Sequence, residues 1–251
     1  MKNTLVALMA LSSVSMAANL TPLVTMDELV ANAITSSATQ VENMSVTTYE
    51  FSNGSYIGGI TCDALNTALQ DSSQYITIAA WVKLTDTTGI ESIFGYGAQA
   101  DGFKLCTNGS GLQYTAKGVD DYPTVTAGIQ ADTWTLVGIS FKGGNAAADG
   151  ARYFAGTGNN NYFTRNLGGF DTPGEGDLTF AIGSGNSGNS REPFNGQIAG
   201  LTIFTSSSVI GGVNDVTTYM GTVAPVAIPE PATATLSLLA LAGLAARRRR
   251  K

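Results

Sequence analysis

The chain has 251 residues, 13 Lys+Arg against 19 Asp+Glu, a formal net charge of −6 and no histidine. The missing histidine excludes Ser-His-Asp and Cys-His nucleophile systems, a His general base and every His-ligated metal site. With 43% apolar residues and 30 glycines the chain is too apolar for disorder and poor in helix formers, which points to an all-β globular body.

Residues 1–18 start with Lys2, run through Leu5-Val6-Ala7-Leu8-Met9-Ala10-Leu11 and reach Ser15-Met16-Ala17-Ala18. A cationic start, an apolar run too short for a bilayer and a small-residue cleavage site describe a secretory signal peptide. Cleavage is expected after Ala17 or Ala18, with signal peptidase as the processing partner and export as the outcome. The competing reading is a short buried helix. Residues 19–40, rich in Thr, Ser, Ala and Asn, read as a weakly structured leader with one short helix near 26–33.

Strand-like runs then recur between turn signals. Residues 46–51 alternate, and Ser52-Asn53-Gly54 turns the chain into Tyr56-Ile57. Residues 63–69 suit a short helix capped by Asp63. Residues 75–84 place Ile76, Ile78, Ala80 and Val82 on one face. Further runs cover 93–97, 102–106, 111–116, 134–141, 152–155, 178–182 and 197–204. No internal repeat is visible. So many short strands at close spacing predict one antiparallel two-sheet sandwich over 41–222.

Cys62 and Cys106 are the only cysteines. In an oxidising compartment a disulfide is the simple reading, closing a loop of about 45 residues and contributing about 4 kcal/mol by loop entropy. Two separate buried thiols are the other reading. Two Cys without His exclude a zinc site.

Residues 223–251 form a tail: Pro229-Glu230-Pro231, an apolar run over 232–246, then Arg247-Arg248-Arg249-Arg250-Lys251. The apolar run is shorter than the roughly 20 residues a straight membrane helix needs, but flanking arginines extend it by snorkelling. A single hydrophobic helix is expected there, with the terminal cations cytoplasmic and the body outside. Between residues 19 and 228 seven cations face 18 acids, a net charge of 7 − 18 = −11. That charge argues against nucleic acid and anionic lipid as partners.

The order Pro-Glu-Pro, short apolar span, terminal arginine cluster resembles the PEP-CTERM sorting signal. The resemblance implies recognition by an exosortase, removal of the tail after transient anchoring in the inner membrane, and delivery to the cell surface, outer membrane or extracellular matrix. The body resembles laminin-G-like, concanavalin A-like jelly rolls. Four segments carry this resemblance, in family order: Tyr49-Glu50-Phe51-Ser52-Asn53-Gly54-Ser55-Tyr56-Ile57, Ile76-Thr77-Ile78-Ala79-Ala80-Trp81-Val82-Lys83-Leu84, Asp132-Thr133-Trp134-Thr135-Leu136-Val137-Gly138-Ile139-Ser140 and Phe194-Asn195-Gly196-Gln197-Ile198-Ala199-Gly200-Leu201-Thr202-Ile203-Phe204. Thr135 stands where the family usually has His, and Ala199 and Gly200 replace its usual closing-strand acids, which weakens a family-like ligand site.

Trp81 and Trp134 are expected to fill the core. Tyr96, Tyr114, Tyr122, Tyr153, Tyr162 and Phe163 are the candidate loop platforms for sugar rings. Tyr162 and Phe163, after the run 156–161, are the first ligand-binding candidates. No catalytic pair stands out. Glu175-Gly176-Asp177 is followed by Phe180 where a laminarinase-type motif needs a third acid, and Asp120-Asp121 diverge on an extended strand. Calcium is the one cofactor these acids suggest, through Asp171, Glu175 and Asp177, although Pro173 interrupts that run. Asp101, Asp149 and Asp177 could share a rim with it; solvated turn acids are the alternative.

The expectation is a noncatalytic surface or matrix protein whose sandwich binds polysaccharide or a surface protein. A purely structural matrix component is the alternative, and a glycan hydrolase the third reading.

Overall fold

The computed structural model describes residues 20–98, 101–118, 120–121, 124–144, 152–156, 162–164, 178–208, 210 and 214–227. The signal peptide, the sorting triplet, the C-terminal apolar helix with Arg247 to Arg250, and Asp171, Glu175, Asp177, Asp149 and Tyr122 lie outside them.

The elements run in chain order as β1 (Thr21–Thr25), α1 (Met26–Ala31), β2 (Thr35–Ser36), β3 (Thr39–Gln40), β4 (Thr48–Phe51), β5 (Ile57–Thr61) and α2 (Asp63–Gln70). There follow β6 (Tyr75–Leu84), β7 (Ile90–Tyr96), β8 (Phe103–Asn108), β9 (Gly111–Ala116), β10 (Asp120–Asp121), β11 (Val125–Thr126) and β12 (Thr135–Lys142). The last are β13 (Arg152–Gly156), β14 (Tyr162–Thr164), β15 (Thr179–Ile182), β16 (Gly196–Ser206) and α3 (Asn214–Thr222). The first sheet has the order β14-β13-β12-β6-β16-β4-β3, with β1 also on β16. The second has β10-β9-β8-β7-β15-β5-β2, with β11 on β9. Every pairing between named strands is antiparallel. The result is the two-sheet sandwich expected from the alternation.

The main core lies between the sheets. Alternation along β6 turns Ile76, Ile78, Ala80, Val82 and Leu84 inward. They meet an aromatic layer from the second sheet, where Phe94 stacks on Phe180 with centroids 5.6 Å apart and Tyr96 on Phe103 at 5.3 Å. Tyr96, Tyr114 and Tyr153, expected as loop platforms, are therefore fully buried strand residues.

The leader holds the short helix expected near 26–33, as α1, and three strands that were not expected. β1 pairs with the far half of β16, β2 extends the second sheet on β5, and β3 extends the first on β4. The helix α1 starts at a capping box, in which the Glu28 carboxylate accepts from Thr25 N at 2.7 Å and Thr25 Oγ1 at 2.9 Å. At α2 the cap position is Cys62, and Asp63 sits inside the first turn, where its negative charge meets the positive end of the helix dipole.

A second apolar cluster lies on the outer face of the first sheet. Ala79, Leu136, Phe154 and Phe204 pack there beneath Val216 and Met220 of α3. Trp81 belongs to this layer, not to the core between the sheets, and its Nε1 donates to Met220 O at 2.8 Å. Trp134 is also outside the main core: it is half-buried at the surface, with Lys83 Nζ 5.7 Å from its ring centroid.

Beyond α3 the chain stays bound to the body. Ser45 N donates to Val226 O and Val226 N to Ser45 Oγ, each at 2.9 Å, and Met44 bridges Ala227. The body's hydrogen bonding thus passes the expected boundary at Thr222.

Cys62 and Cys106 are free thiols, both buried, so the expected disulfide is replaced by the alternative reading. The topology explains why. Cys62 follows β5 and Cys106 lies in β8, with β15 and β7 between those strands. Three strand spacings are about 14 Å, twice the Cα separation a disulfide spans.

Candidate functional site

Between β15 and β16 the chain does not turn directly. Residues 183–195 cross the outer face of the second sheet and are sewn to it by backbone hydrogen bonds. Ser187 O accepts from Gly59 N at 2.9 Å, Glu192 O from Ser92 N at 2.7 Å, and Ile93 O from Gly183 N at 2.8 Å. Two glycines make this close approach feasible. A Cβ on Gly95 would stand 2.4 Å from Gly185 O, and one on Gly58 2.6 Å from Ser187 O.

The segment is also cross-braced internally. Ser184 Oγ donates to Asn189 O at 2.7 Å and accepts from Arg191 N at 3.0 Å and Asn186 N at 3.2 Å. Asn186 Nδ2 donates to Asn189 Oδ1 at 3.2 Å. Such a network fixes the path of the main chain, and through Asn186 the Asn189 carboxamide, before any ligand arrives.

Charge is concentrated beneath it. Lys104, buried on β8, donates to Glu192, whose carboxylate also accepts from Ser92 Oγ at 3.3 Å. Lys117 Nζ donates to Tyr96 O and Gly97 O, each at 2.9 Å. Further along the face Asp121 accepts from Thr115 Oγ1 at 2.6 Å. Burial among these groups pushes the Cys106 thiol up to about 12.

What remains open to solvent is specific. Gly188, Asn189, Ser190 and Arg191 are exposed at the crest, and Arg191 is the one exposed cation among the described residues. Tyr56 lies half-buried beside them, its hydroxyl 3.4 Å from Gly188 O. A guanidinium, carboxamides, hydroxyls and an aromatic ring on one rigid surface suit a ligand rich in hydroxyl groups.

Tyr162 and Phe163 stand elsewhere. They lie in the edge strand β14, not in a loop, with Tyr153↔Phe163 and Phe154↔Tyr162 in register. No group of three or more His, Cys, Asp or Glu among the described residues could hold a metal ion. Tyr56 and Arg191 were missed by sequence reasoning. The available signal was the Gly/Ser/Asn run 183–190 between two strands, too long for a hairpin turn.

The profile of the concanavalin A-like lectin/glucanases superfamily matches residues 58–208, more than half of the chain. The chain belongs to that superfamily. This lectin/glucanase domain is followed by a match to the PEP-CTERM protein-sorting motif over residues 227–251, which indicates export and sorting to the cell surface. No helix among the described residues is long and apolar enough to cross a membrane. No curated protein matches the chain. Among solved structures, the superfamily member is similar to the Ruminococcus gnavus IT-sialidase CBM40 bound to α2,3-sialyllactose, at 14% identity and a TM-score of 0.47, covering 79% of this chain and 98% of that one. It is similar to the receptor-binding domain of botulinum neurotoxin C/D mosaic serotype at 14% identity and a TM-score of 0.49, covering 73% and 44%. It is also similar to the leech intramolecular trans-sialidase, at 21% identity and a TM-score of 0.47, covering 67% and 26%. The chain thus spans nearly all of the first relative and less than half of the other two.

Proposed function

We propose that the protein is an exported, exosortase-processed surface or matrix component whose sandwich binds glycan, without catalysis, at the crest of residues 184–191 and Tyr56. The observation that carries this reading is the braced segment itself. Its main chain is held by Ser184 and by the backbone of the second sheet, and it offers Arg191 to solvent beside an aromatic ring. Preorganised hydrogen-bonding groups lose little entropy on binding, which favours a recognition role over a solvated turn.

The test is a glycan array on the body, residues 19–228, run with calcium and then with a chelator. Binding to a defined glycan that falls at least tenfold in Arg191→Ala and Tyr56→Ala supports the proposal. Calcium-dependent binding would bring in the acids Asp171, Glu175 and Asp177 as ligands. An array silent in both conditions favours the purely structural reading, and release of reducing sugar from a bound polysaccharide overturns the noncatalytic one.

A further inference from the structure

The sandwich has a second chemically organised surface, on the outer face of the first sheet and so on the opposite side from residues 183–195. Register places Lys83 of β6 opposite Gln197 of β16, Gln197 opposite Glu50 of β4, and Glu50 opposite Thr39 of β3. The neighbours Val82 and Leu84 point into the main core, so this row faces outward. Thr135 pairs with Val82, which puts Trp134 at the end of the row. Lys83 Nζ holds the indole from 5.7 Å, and Gln197 Nε2 donates to Glu50 Oε2 at 2.6 Å. Trp134, Lys83, Gln197 and Glu50 all lie outside the apolar cluster that α3 covers one row away, and all four are half-buried, whereas Thr39 at the far end is exposed.

The chemistry of the row selects its occupant. Strands lie about 4.8 Å apart, so the row offers one polar group per strand at a spacing comparable with one pyranose unit of an extended glycan. A sugar ring presents an apolar C–H face to an indole and hydroxyl edges to carboxamide, carboxylate and ammonium. One cation and one anion cancel within the row, which suits a neutral chain. A protein interface would instead centre on an apolar patch, and Trp134 is the row's single apolar group.

We propose that Trp134, Lys83, Gln197 and Glu50 form a binding row for an extended neutral glycan. The row stands on its own geometry, whatever residues 183–195 bind. The protein has two tryptophans, and they occupy distinct environments, which supplies the measurement. In the 19–228 body, which holds every described element, 5-fluorotryptophan gives one ¹⁹F resonance each for Trp81 and Trp134, assigned with Trp134→Phe. Cellohexaose, laminarihexaose and mannohexaose are then titrated separately.

The expected result is a saturable shift of the Trp134 resonance with at least one hexasaccharide and an unmoved Trp81 resonance. Arg191→Ala leaves the shift intact, whereas Gln197→Ala combined with Glu50→Ala weakens affinity at least tenfold. An unmoved Trp81 resonance in that double variant shows that it folds. The proposal is overturned if no hexasaccharide moves the Trp134 resonance, if the double variant binds as well as the parent, or if the resonance moves only with protein concentration, the signature of self-association. Loss of array binding in Arg191→Ala reports on the crest alone, so the two sites fail separately.

Discussion

The indole Nε1 of Trp81 donates to the main-chain carbonyl of Met220 at 2.8 Å, joining the middle of β6 to the helix that closes the body. The bond lies over an apolar layer that includes Phe204, whose ring meets Tyr219 edge-on at 5.2 Å. Trp81→Phe keeps most of the packing and leaves the carbonyl only its 3.3 Å bond from Val223 N, a loss of about 0.5–1.5 kcal/mol. Urea denaturation should show a lowered midpoint with an unchanged slope. A midpoint equal to the parent's would mean that α3 contributes no stability through this bond.

Gly95 and Gly188 make a matched pair of substitutions. A methyl on Gly95 collides with the backbone of Gly185, which cannot swing aside, whereas one on Gly188 meets nothing within 4 Å. Gly95→Ala should cost about 1–3 kcal/mol as overpacking and lift residues 183–195 from the sheet, lowering glycan affinity as well. Gly188→Ala should be close to neutral in both assays. Equal behaviour of the two variants would contradict the close approach.

Much of this body was legible in the sequence because β6 and β12 alternate, and β16 does so on either side of its bulge between Ala199 and Thr202, a pattern that fits a strand with one buried face. In the leader the short helix α1 was legible and the strands were not. Its strands are five, two and two residues long, and they owe their conformation to β16, β5 and β4. The α3 segment carries Thr and Gly among its apolar residues, so its buried side appears only against Phe204 and Trp81. At the candidate site the polar run 183–190 was visible, but nothing local says that it lies on Gly95 and Gly58. That requires the far-separated strands to be placed first.

Glu91 gives the body a distinctive pH dependence. Burial pushes its carboxyl up to about 7 from 4.5, against the opposing effect of the Asn195 N–H, which donates to it at 3.1 Å. Between pH 4.5 and about 7 the native state therefore holds more protons than the unfolded chain. The resulting stability is fully present below 4.5 and is lost as pH rises through about 7. Glu28, Asp71 and Asp86, lowered by hydrogen bonds, act in the opposite sense below that window. Thermal melts across the window should show a falling Tm in the parent and a flat one in Glu91→Gln; parallel curves would refute the assignment.

The cysteines yield a chemical prediction. Alkylation in denaturant without reductant should label both thiols, and the native protein should resist labelling, with Cys106 the slower because its thiol is fully buried and titrates near about 12. Labelling that requires prior reduction would restore the bridge.

The bridge between Met44 and Ala227 has a mechanical consequence. Pro229 follows two residues later, a reach of about 7 Å at full extension. The body therefore has almost no leash. An enzyme acting on Pro229-Glu230-Pro231 must work against the wall of the sandwich or wait for Ser45 to release Val226.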